Sequence, residues 1–122
     1  MLDDRRPVVA VVDDDEGVRE SLRFLLETEG FKVLTFDSAE SFLSRPARCG
    51  LAGLLLDQHM PRTTGLDVLE RLRACGCHIR VGLMTGSPSA ELTRRARDLG
   101  AETVMEKPLE ETALLRFVSQ AD

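Results

Sequence analysis

Five polar residues stand where apolar runs stop. Asp13 and Asp14 follow Val8-Val9-Ala10-Val11-Val12, Asp57 follows Leu54-Leu55-Leu56, Thr85 follows a run ending at Met84, and Lys107 comes just after Val104-Met105. Three carboxylates brought together repel one another and call for a cation. Oxygen ligands from carboxylates, a carbonyl and water suit magnesium, which often bridges to a phosphate. A carboxylate can attack phosphorus and form an acyl phosphate. An ammonium such as that of Lys107 would neutralise phosphoryl oxygens, and a hydroxyl such as that of Thr85 would donate a hydrogen bond to one of them. Carboxylate, magnesium, ammonium and hydroxyl together describe an aspartyl-phosphate site, provided that the chain brings them to one place.

Each residue alone has a plainer reading. An acidic run after a strand is commonly a solvated turn. Asp57 could initiate the turn that follows it, Thr85 could be an ordinary strand residue, and Lys107 before Pro108 could be an exposed loop lysine. The functional reading therefore depends on where the elements put these residues.

Strands and helices alternate five times. Val8 to Val12 is a continuous apolar run, β-branched but for Ala10, as expected for a strand buried on both faces. A helix follows with Val18, Leu22, Leu25 and Leu26 on one stripe, stopped by Gly30. Lys32 to Phe36 alternates as a second strand, and Ser38 can cap a short helix carrying Phe42 and Leu43. Pro46 and Gly50 mark a loop. Leu51 to Leu56 reads as the third strand, and Leu66, Leu69 and Leu72 line the third helix beyond Gly65. Ile79 to Met84 reads as the fourth strand. Ser89 can cap a fourth helix with Leu92, Ala96 and Leu99 inside and Gly100 at its end. Thr103 to Met105 is a short fifth strand, and the last helix buries Leu114, Phe117 and Val118.

Strict alternation implies an α/β domain with a parallel sheet and helices on both faces. In such a sheet the C-terminal strand ends lie along one edge, and sites form there where the strand order reverses. Residues nearly a hundred positions apart then converge.

The 122 residues suit one domain, taken here as residues 1–122. A net charge of -5 argues against direct nucleic-acid binding and suits a divalent cation. No apolar run approaches a membrane span, and the charged start Met1-Leu2-Asp3-Asp4-Arg5-Arg6 is no secretory signal, so a cytoplasmic setting is expected. Cys49, Cys75 and Cys77 are odd in number, which fits reduced thiols better than a disulfide framework. Cys75-Gly76-Cys77-His78 lacks the usual zinc spacing and reads as a loop with small thiols.

The order Asp13-Asp14, Asp57-Gln58-His59-Met60-Pro61 with Gly65, Thr85-Gly86 and Lys107-Pro108 resembles the response-regulator receiver family of two-component systems, over nearly the whole chain. In detail it is similar to receivers of the FixJ type. The resemblance implies a doubly wound, flavodoxin-like sheet of order 2-1-3-4-5, with Asp57 phosphorylated by a sensor histidine kinase. It implies that Asp14 and Asp57 bind Mg2+ with the backbone carbonyl of His59, and that Asp13 binds it mainly through water. Lys107, through a cis bond to Pro108, would pair with the phosphoryl group, and Thr85 would move toward it. The domain would catalyse its own phosphotransfer and dephosphorylation without being a turnover enzyme. Its output surface would be helix 4, strand 5 and helix 5, facing an output domain, a partner protein or a second copy. Such receivers often precede a transcription effector.

Asp15 lies one position beyond the matched pair and reads as a solvated turn residue. The His59 and Ser87 side chains are expected to rim the site and tune hydrolysis. Arg94, Arg95 and Arg97 form a basic stripe that is either a solvated face or part of the output surface. Family members usually carry Tyr or Phe three residues before the lysine, where this chain has Val104, which lacks the ring of the aromatic output switch. Two rivals remain. One is an interaction module independent of phosphorylation. The other is a flavodoxin-like electron carrier, disfavoured because the first loop is acidic and the chain has no Trp or Tyr to stack on a flavin.

Overall fold

A computed structural model describes residues 6–45 and 48–119. Residues 1–5 and Pro46, on which two of the expectations above fall, lie outside the described residues. The elements are β1 (Val8–Val12), α1 (Glu16–Thr28), β2 (Lys32–Phe36), α2 (Ala39–Leu43), β3 (Gly53–Asp57), α3 (Gly65–Ala74), β4 (Val81–Thr85), α4 (Ala90–Asp98), β5 (Thr103–Glu106) and α5 (Glu111–Ser119). A single 3-10 turn, Arg48–Gly50, precedes β3. All strand pairs are parallel, in the order β2-β1-β3-β4-β5.

Successive strand residues face opposite sides of a sheet, so each apolar strand feeds two cores. Val9, Val11 and Leu55 pack with Leu22 and Leu26 of α1 and Leu114 and Phe117 of α5. Ala10, Val12, Leu54 and Leu56 pack with Phe42 of α2, Leu69 and Leu72 of α3 and Ala96 of α4. Leu54, Leu55 and Leu56 are fully buried, and each contributes about 1.5–3 kcal/mol relative to exposure. A run that is apolar at every position is thus what a central strand covered on both faces requires.

The helix ends follow local chemistry. Ser38, Thr64 and Ser89 cap α2, α3 and α4, and Thr64 with Asp67 forms a capping box. Gly30 and Gly100 end α1 and α4 at φ of 96° and 86°, where a side chain would be strained. Asp15 is not merely a turn residue. It is the N-cap of α1, and its side chain accepts from the Val18 N–H.

Three other expectations are corrected. β3 starts at Gly53 rather than Leu51 and includes Asp57 as its last residue. β4 starts at Val81 rather than Ile79 and includes Thr85. Leu51 and Ile79 still pack into the core from the loops, which is why the apolar runs overshoot the strands. The thiol reading of the cysteines also fails for two of the three. Cys49 and Cys77 form a disulfide with Cα atoms 5.5 Å apart, a separation suited to one. Cys75 is exposed and outside that bond.

Candidate phosphoacceptor site

Parallel register decides what meets at the C-terminal edge. Val12 pairs with Leu56, Asp57 with Met84 and Thr85 with Glu106, so β1, β3, β4 and β5 finish side by side. Asp13 and Lys107 are each one residue past a strand, while Asp57 and Thr85 are strand-final. The carboxylates of Asp13, Asp14 and Asp57 offer oxygens within 4.8 Å of one another. Lys107 Nζ lies 2.7 Å from Asp13 Oδ2 and 3.0 Å from Asp57 Oδ1. The Lys107–Pro108 peptide is cis.

The three acids are not equivalent. Asp13 is fully buried and committed on both oxygens: Oδ2 accepts from Lys107, and Oδ1 accepts from the Asp15 N–H at 2.9 Å. Its carbonyl accepts from Arg19 Nη1 at 2.7 Å. Asp57 is 2% exposed, and both of its side-chain contacts fall on Oδ1, from Lys107 and from the His59 N–H at 3.3 Å. Oδ2 has no hydrogen-bond partner among the described residues. Asp14 is exposed, and its carboxylate makes no bond among them.

One ammonium against three carboxylates leaves a net negative pocket, which fits a divalent cation. Burial holds the Asp57 carboxyl above the ordinary carboxylate range. The Lys107 hydrogen bond opposes this and the nearby Asp13 charge adds to it. Burial alone would push Lys107 down, but its hydrogen bonds to Asp13 and Asp57 outweigh that and hold its pKa up.

Thr85 is fully buried, and its Oγ1 meets His59 Nε2 at 3.0 Å and the Ser87 N–H at 3.0 Å. Both contacts fall on Thr85, from the ring of His59 and from the backbone N–H of Ser87. The sequence reading missed this, because the two partners of the first contact are 26 residues apart with no periodic relation. Gly65 is held close beneath the site. A Cβ there would lie 2.6 Å from the Asp57 carbonyl oxygen and 2.7 Å from Leu83 Cδ1. The Gln58 side chain adds a brace by accepting from the Leu66 N–H at 2.9 Å. Val104 is half-buried in the α2–α3–α4 core. Arg94, Arg95 and Arg97 are exposed on α4.

Comparison with known proteins gives a consistent result. A family described as the response regulator receiver domain matches residues 9–119. The transcriptional regulatory protein FixJ of Azorhizobium caulinodans is 40% identical over 110 residues, which cover 90% of this chain and 52% of that protein. The response regulator protein TodT of Pseudomonas putida is 33% identical over 120 residues, covering 98% and 53%. Among solved structures, the response regulator StyR superposes with a TM-score of 0.86 at 41% identity, covering 95% of this chain and 59% of that one. A response regulator receiver protein from Pseudoalteromonas atlantica gives 0.87 at 28% identity, covering 94% and 96%. The chain spans about half the length of the curated relatives it matches.

Proposed function

The chain belongs to the response regulator receiver domain family of two-component systems, and from that premise we propose that Asp57 accepts a phosphoryl group from a sensor histidine kinase. The observation that carries this reading is the asymmetry of Asp57: Oδ1 is held by Lys107 and the His59 amide, while Oδ2 has no hydrogen-bond partner among the described residues. A carboxylate oxygen with no competing bond is a nucleophile ready to use. Oδ2 attacks phosphorus, an O–P bond forms, the P–N bond to the donor imidazole breaks, and that imidazole takes its proton from solvent. Lys107, already 3.0 Å from the acceptor, then neutralises a phosphoryl oxygen.

Asp14 and Asp57, the His59 carbonyl and, through water, Asp13 would hold Mg2+. The ion supplies positive charge against the phosphoryl oxygens. The engaged oxygens of Asp13 support its indirect place in that set. The same residues serve hydrolysis, so the domain catalyses its own loading and loss. No helix of the described residues is long and apolar enough to cross a membrane, and the reading places the domain in the cytoplasm.

Residues 1–122 act as one receiver domain, and its output passes through the face of α4, β5 and α5. That face would meet an effector domain controlling transcription, a partner protein or a second copy. An apolar groove of about 680 Å3 between α1 and α5 reaches Lys107 and is lined by Val18, Leu22, Leu25 and Leu109, an approach for the donor protein. The decisive test is incubation with magnesium and acetyl phosphate. Intact mass should rise by one phosphoryl group in the wild type and not in Asp57→Asn. Equal labelling of the variant would overturn the assignment.

A further inference from the structure

A threonine hydroxyl carries one hydrogen and two lone pairs. Thr85 is fully buried, so that hydrogen needs a protein acceptor. Two groups reach Oγ1 among the described residues. The Ser87 N–H is a donor and fills one lone pair. His59 Nε2, at 3.0 Å, is the remaining place for the hydroxyl hydrogen to go. We infer that His59, resting as its Nδ1–H tautomer, accepts the Thr85 hydroxyl through Nε2 and so latches Thr85 away from Asp57 until a phosphoryl group arrives. This rests on the reading of Asp57 as phosphoacceptor, and it names how that site is regulated.

The latch and the phosphoryl group compete for one hydrogen. A charge-assisted bond to a phosphoryl oxygen is stronger than the neutral bond to an imidazole. Thr85 therefore turns, and His59 loses its partner. His59 is an exposed residue and this bond is only part-buried, so water can replace it. The His59 backbone N–H also lies 3.3 Å from Asp57 Oδ1, so one residue touches both the acceptor and the hydroxyl that responds to it. Val104 on β5 is short, with restricted χ1, and has no ring to swing. The ring whose bonding changes on phosphorylation is then in the β3–α3 loop. His59 is a positioning residue, acting through Thr85.

The ring nitrogens report this directly. In 15N-labelled protein at rest, His59 should show a protonated Nδ1 and a bare, hydrogen-bonded Nε2. Magnesium and beryllofluoride should convert it to the mixed tautomers of a free imidazole, with loading read separately by 19F signals. His78, exposed and remote in sequence, serves as the internal control. Thr85→Ala should show the free pattern before any beryllofluoride is added, and Thr85→Ser should restore the latched one. His59→Phe keeps a ring but removes the acceptor, and should bind beryllofluoride roughly twofold to tenfold more tightly, because one bond opposing the shift is gone. A protonated Nε2 at rest, unchanged nitrogens after confirmed loading, or wild-type affinity in His59→Phe would each overturn the latch alone. Failure of beryllofluoride to load would overturn the Asp57 assignment and the latch with it.

Discussion

At the C-terminal edge of the sheet three carboxylates crowd one ammonium; at the N-terminal edge two guanidiniums sit among carbonyls and a carboxylate. Arg73 donates to the carbonyls of Leu99, Gly100, Cys77 and Ile79, all at 2.9 Å, tying the end of α4 to the chain that enters β4. Arg80 grips both oxygens of Glu102 at 2.8 and 2.6 Å, donates to the Phe117 carbonyl and lies 4.7 Å over its ring. The Cys49–Cys77 bridge joins the approaches to β3 and β4 on the same side. One edge thus closes the fold with guanidiniums bonded to carbonyls and one carboxylate, only Arg80 Nη1 lacking a partner among the buried atoms of this pair. The other leaves carboxylate charge in excess and, among the described residues, Asp57 Oδ2 and the Asp14 carboxylate without a hydrogen bond. Closure of the fold and the proposed phosphoryl chemistry sit at opposite ends of the same five strands.

The contrast can be broken most forcefully at the closed edge. Arg73→Ala leaves four carbonyls without their donor and should cost about 2–4 kcal/mol in urea unfolding. Asp57 loading by acetyl phosphate should survive while the variant stays folded. Loss of loading in the folded variant would mean that the two edges are not independent. Close beneath the site, Gly65→Ala forces a Cβ against the Asp57 carbonyl and Leu83, an overpacking of about 1–3 kcal/mol. Here stability and loading should fall together, because the strained atom belongs to the acceptor itself.

At the open edge the effects on stability shrink. Asp14→Ala should weaken magnesium binding by about tenfold or more, roughly 1.4 kcal/mol, as read by titration calorimetry. Its thermal midpoint without metal should hold or rise, because a repelling charge is gone. The smallest effect concerns pH. The folded-state pKa of Asp57 is raised by burial, so between the unfolded value and that higher one the native state binds more protons. The stability Asp57 contributes is therefore present at low pH and lost as pH rises through the folded pKa. Without metal, Asp57→Asn should be more stable than wild type at neutral pH, and the difference should vanish on acidification. A difference independent of pH would show that Asp57 carries no burial penalty.

The open edge was legible in sequence because each of its residues follows an apolar run, and a parallel sheet aligns the ends of such runs. Asp57, Lys107 and Asp13 needed no more than that. The closed edge was not legible. Arg73 on a helix reads as a solvent-facing charge, and its four partners are carbonyls, which no sequence pattern displays. Cys49 and Cys77 are 28 residues apart and meet through the neighbouring positions of β3 and β4. The strand starts were misplaced because Leu51 and Ile79 are apolar for the sake of the core, without belonging to the ladder. Asp15 was within reach: an acid directly before an amphipathic run is a helix-start signal, hidden here among other acids.

The bond between Asp13 and Lys107 spans 94 positions of sequence. Translation proceeds at about 5–20 residues per second. For several seconds, then, a nascent chain carries all three acids before the lysine that holds two of them has been made. During that interval the acceptor lacks its counter-charge and the parallel sheet lacks its last strand. A kinase meeting the chain on the ribosome would find a carboxylate but no site. On the proposed reading, then, no copy can be loaded until Lys107 has been made and β5 has joined the sheet.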